Sequence, residues 1–249
     1  MPASGRHAVL RDHYEGRRTG VRGLHSPGRF RHGHFSESLL FGHLAFNDSI
    51  ALVNRYYCGV GSFYTNVTLR GPDGEQVIAA IRELGYRAFV ADTINGLTLI
   101  CEQQSDTQDK GIWHTVASRL SEKLACAALA VMNHDDDFLL YGLYQSGRLV
   151  DEYNSCPAYW NEVEQAEPLG GDPKMLCQAF GMPGNHVDID RVLHTPTSSL
   201  EDDGEDEFVF ATERHAALIS ALDWPDVPYQ QGFDYLTKER LDSRWHVVG

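Results

Sequence analysis

The sequence predicts an α+β protein: a βαββαβ-type antiparallel sheet extended by a β-hairpin, with two helices on one face and C-terminal helices covering the other. Three observations carry this. Between residues 62 and 154 the hydrophobic period switches between two and about 3.6, in the order strand, helix, two strands, helix, three strands. In residues 138–144 both alternating sets are apolar, with Phe138, Leu140 and Tyr144 on one side and Leu139, Tyr141 and Leu143 on the other. Both faces of that strand therefore need a cover. The last third of the chain, rich in short helical patterns, is the second cover.

Element by element, Phe63, Thr65, Val67 and Leu69 alternate with Tyr64, Asn66, Thr68 and Arg70, the signature of a half-buried strand. After Gly71-Pro72-Asp73, residues Val77, Ile78, Ile81 and Leu84 fall on one helical face, and Gly85 supplies the stop. Residues 86–92 and 97–102 flank Asn95-Gly96, a pair that accepts the positive φ angles of a tight hairpin. Ile112, Val116, Leu120 and Leu124 mark a second helix, with Trp113 beside the seam. Three strands follow, at 128–133, 138–145 and 148–154, the last two joined by Ser146-Gly147. Asp172-Pro173 is an N-cap and N1 pair for a helix over 174–180 that ends at Gly181, and Asn185 can cap a short helix through Leu193. Residues 208–222 form a longer helix stopped by Pro225 and Pro228, and the tail through Tyr235, Leu236 and Leu241 lies across the body.

Three regions result. Residues 1–60 are a poorly ordered Arg/His-rich extension, 61–160 the α+β core, and 161–249 a mainly helical part with an acidic loop at 197–207. The extension has eight Arg, no Lys and four acids, and the remaining residues hold 13 basic against 31 acidic side chains. Arg without Lys reads as composition bias more than a selected basic arm or a His-based metal tail. The formal charge of -14 thus conceals a body that repels nucleic acid and anionic lipid. No apolar run approaches the roughly 18 residues of a membrane span and no signal-like segment opens the chain, so a soluble, cytoplasmic protein is expected. Five scattered cysteines without a CxxC are expected to be reduced thiols.

The only concentration of chemistry is His134-Asp135-Asp136-Asp137, set between two apolar strands. A His with carboxylates can hold a divalent ion, with Asp135 and Asp137 as the metal candidates, yet successive strand residues point to opposite faces. Pairing outward from Ser146-Gly147 sets Gly142 against Asp151, Tyr141 against Glu152 and Leu139 against Asn154. That register brings Asn154 and Ser155 to the acidic turn, rimmed by Tyr159 and Trp160, and leaves Asp151 and Glu152 far along the ladder. His215 is expected at the surface, and no nucleophile elbow, phosphate-binding loop, HExxH or dinucleotide motif occurs.

The NHDDD turn and the DEYNSCPAYW segment resemble an uncharacterised bacterial family in which a similar acidic turn, an LVDEYNS-like strand and a GGD-led helix recur. The resemblance spans about residues 62–181 and implies no activity. The sequence thus leads to an acidic, non-enzymatic interaction or regulatory module of the inhibitor or immunity kind, with no cofactor and a basic protein partner. The alternative is a metal-dependent hydrolase or small-ligand-binding protein with its site at the acidic turn.

Overall fold

The structure, a computed structural model, describes residues 61–159, 167–181, 185–197 and 208–249. These residues belong to one compact unit, Ser49–Gly249. The extension at 1–60, Trp160 and the acidic residues 201–207 lie outside the described residues.

An open antiparallel sheet of eight strands forms the frame. Its central strands are β1 (Tyr64–Arg70), β2 (Ala88–Ala91), β3 (Leu97–Glu102) and β4 (Ala127–His134), joined by helices α1 (Gly74–Leu84) and α2 (Lys110–Lys123). The hairpin β5 (Phe138–Gln145) and β6 (Arg148–Asn154) extends β4. Two short strands close the edges, β7 (Leu169–Gly170) on β6 and β8 (Trp245–Val248) on β2, giving the order β7-β6-β5-β4-β1-β3-β2-β8. The inner order β4-β1-β3-β2 is two interleaved split βαβ units, as the alternation of periods predicts.

Local chemistry sets the helix ends. Asp73 and Gln76 form a reciprocal capping box at the start of α1, and Gly85, at φ 72°, closes it. Asn95 and Gly96 both have positive φ, 52° and 74°, as the tight β2–β3 connection requires. Trp113 does not sit beside the seam of α2: it is fully buried with Val116, Ala117 and Leu120, while Ile112 is only partly covered.

The sheet has two cores. One, from Val67, Leu69, Ile100, Ala130, Phe138, Leu140 and Tyr144, packs on α1 and α2. The other, from Tyr64, Leu99, Val131, Leu139, Tyr141, Leu143 and Tyr153, packs on α3 (Pro173–Phe180), α4 (His186–His194) and α5 (Ala211–Ala221). Near β2 the second face is finished by α6 (Phe233–Lys238), whose Phe233 and Leu236 meet Phe89 and Cys101.

Three further expectations need correction. The β5–β6 register starts as predicted at Gln145–Arg148 and Tyr144–Leu149, then shifts by one at a bulge, so Leu143 pairs with Asp151, Gly142 with Glu152 and Leu140 with Asn154. One extra residue on β6 turns every later side chain to the other face. The shift buries Tyr153 against Tyr141, rings 5.2 Å apart, and carries Glu152 to the α2 side. His215 is not at the surface: it is 1% exposed, because α5 turns it inward onto Tyr64. Asn185 does not cap α4 with its side chain, which donates to the Ala221 carbonyl and ties α4 to α5. The tail ends in a strand, β8, whose four-residue length gives too short a pattern to recognise in the sequence.

Candidate acidic turn and the clusters around it

His134-Asp135-Asp136-Asp137 is the turn from β4 to β5, and Asp135 and Asp136 both adopt positive φ, 55° and 60°. Asp and Asn tolerate this region better than other side chains, and the Asp137 amide closes the turn on the His134 carbonyl at 3.0 Å. Two of the four consecutive polar residues, Asp135 and Asp136, thus satisfy a backbone need first.

Their side chains diverge. Asp135 and Asp137 are exposed. Asp136 turns inward: Oδ2 accepts from the Ser62 amide at 3.1 Å and Oδ1 from Asn133 Nδ2 at 3.0 Å. Its carbonyl accepts from the Ala211 amide at 2.8 Å, which fixes the first turn of α5. His134 enters an aromatic group, stacked on Phe138 at 5.0 Å and edge-on to Phe63 and Tyr159, with Nδ1 bonded to Gln108. Among the described residues no group of three or more His, Cys, Asp and Glu side chains is arranged to hold a metal ion.

Asn154 and Ser155 come to this end of the sheet but are engaged by the backbone. Asn154 Oδ1 accepts from the Cys156 amide at 2.9 Å, and Ser155 Oγ accepts from the Leu139 amide at 2.8 Å. Ser155 thus continues the ladder of β5 with its side chain, so it is buried. Tyr159 stands at the rim, 41% exposed, beside Phe138 at 4.5 Å. Two more exposed rings share this end: Phe63, 38%, and Phe210, 43%, whose neighbour Ala211 is bonded to Asp136. Exposed aromatic rings beside two outward carboxylates are the surface feature of this turn.

Two polar clusters escaped sequence reasoning. Behind the turn, Tyr64 Oη and His215 Nδ1 are 2.8 Å apart in the core, and burial pushes the imidazole down to about 3. On the other face, His114 is stacked on Trp113 at 4.1 Å, bonded through Nδ1 to Tyr144 Oη, and 3.8 Å through Nε2 from Glu152 Oε1. Burial lowers its pKa, against the opposing pull of Glu152. The partners are 30 and 38 residues away in sequence, so no local spacing could announce them.

Compared with known proteins, the chain matches no family model, no curated protein and no solved structure.

Proposed function

We propose that the protein is a non-enzymatic interaction module, of the inhibitor or immunity kind, that presents the acidic end of its sheet to a basic protein partner. The observation that carries this reading is the division of labour in the turn. Asp136 is spent on the fold, while Asp135 and Asp137 are exposed among Phe63, Tyr159 and Phe210, with Tyr159 hydrogen-bonded to Asp137. Interface centres favour aromatic rings, and exposed carboxylates steer a cationic partner and fix its register. An excess of 31 acids over 13 bases beyond residue 60 extends the same field.

A fluorescent Arg/Lys-rich peptide titrated with the full chain tests it. Anisotropy is expected to rise saturably, to fall as salt is added, and to be lost in the Asp135→Asn/Asp137→Asn pair. Neutralising the exposed Glu75 and Glu122 at the opposite end of the sheet is expected to leave binding nearly unchanged. Equal losses from both pairs, or no binding at low salt, overturn the reading.

A further inference from the structure

We propose that the groove beside His114 binds a small zwitterion, an amino acid or short peptide, whose ammonium sits between His114 and Glu152 and whose carboxylate meets Arg119. The groove is about 380 Å³, between α2 and the β5–β6 hairpin, with His114, Tyr144, Ser118, Arg119 and Leu149 in its wall. That volume lies at the lower end of small-ligand sites.

The imidazole is held in place. Gly142, opposite Glu152 on the adjacent strand, leaves the space it occupies: a Cβ there would lie 3.2 Å from His114 Cε1 and 3.2 Å from Tyr144 Cε2. Trp113 supports one face of the ring and Tyr144 takes Nδ1. The β6 bulge then delivers Glu152 to the same side. Without it Glu152 would face the opposite core.

The gap between Nε2 and the carboxylate, 3.8 Å, is too long for a direct hydrogen bond. A nitrogen placed between them reaches both at about 2.8 Å and donates to each, provided that Nδ1–H donates to Tyr144 Oη. An ammonium suits that position because one acceptor is anionic. Arg119, in α2 like His114, lines the same groove. Among the described residues it makes no hydrogen bond or ion pair. Its guanidinium is the groove's cation, a group that takes a carboxylate through two parallel hydrogen bonds. Leu149, 46% exposed, offers an apolar contact for the ligand's side chain.

The test uses the full chain and the His114 imidazole signal in NMR, with millimolar L-leucine, N-acetyl-leucine and leucinamide as probes. Leucine is expected to move the signal saturably, acetylation to abolish the effect, and amidation to weaken it several-fold. Glu152→Gln is expected to behave like acetylation and Arg119→Gln like amidation, both at the surface and with amide dispersion retained. No shift with leucine, or equal shifts with N-acetyl-leucine, overturns the proposal. So does an unchanged response in Glu152→Gln.

Discussion

His215 and Glu102 are both buried, and burial acts on them with opposite sign because it penalises the charged form of each. His215 is held neutral with a pKa of about 3, against 6.5 for the free side chain. The unfolded chain therefore binds more protons between these values, and stability falls as pH drops from about 6.5 to about 3. The slope from this one group is about 1.4 kcal/mol per pH unit. Denaturant melts across pH 3–7 are expected to show the decline, and His215→Gln to lose that share of it. Glu102 has the reverse linkage. Its carboxyl is raised by burial, with Oε1 unpartnered among the described residues and Oε2 on the Ser105 amide at 2.8 Å. The native state binds the extra proton, so stability is lost as pH rises through the folded pKa. Glu102→Gln is expected to raise the melting temperature at pH 7 and to lose that advantage in acid. A third measurement separates the three aspartates. Asp136→Ala leaves the Ser62 amide without its acceptor and Asn133 Nδ2 with the Ser62 carbonyl alone, and is expected to cost about 1–3 kcal/mol. Asp135→Asn and Asp137→Asn, at the surface, should stay within about 0.5 kcal/mol.

At the scale of elements, the turns and caps follow from local chemistry. Asn95-Gly96 is the clearest: with φ of 74° at Gly96, Gly96→Ala forces a Cβ into the left-handed region. A loss of roughly 1–2 kcal/mol is expected in urea melts. The split βαβ order, the two-faced burial of β5 and the helix that starts at Asp172 were all legible for that reason: each rests on a period or a cap within about ten residues. The β6 bulge was not. Its extra residue has no signature in the order Arg148-Leu149-Val150-Asp151-Glu152, since both registers leave the hairpin turn intact. What favours the bulged pairing is distant: Tyr153 stacked on Tyr141 and bonded to the Leu193 carbonyl, and Tyr141 Oη donating to Asp151 at 2.6 Å. The candidate site divides the same way. Position at a sheet end could be read from the pattern, but the inward turn of Asp136 depends on Ser62, 74 residues earlier. The His114 cluster depends on a glycine in β5, a residue whose lack of a side chain carries no pattern.

For the whole molecule, excess negative charge makes opposite demands on folding and on binding, and salt separates them. Like charges brought together on folding repel, so the 31 acids against 13 bases beyond residue 60 raise the free energy of the compact state. Raising ionic strength from about 0.01 M to about 0.1 M shortens the screening length from about 30 Å to about 10 Å. That removes most repulsion between carboxylates on different elements while acting less on the short, half-buried hydrogen bonds of Asp136 and Asp151. The melting temperature is therefore expected to rise with sodium chloride over this range. Over the same range a cationic peptide bound at Asp135 and Asp137, as proposed, is expected to lose its steering field, so that its association rate falls more than its dissociation rate changes. Calorimetry and stopped-flow anisotropy on the same salt series read the two effects independently. A melting temperature that falls with salt would mean that attraction dominates the folded charge array, and the long-range field would then not be the one that guides a basic partner to the tip.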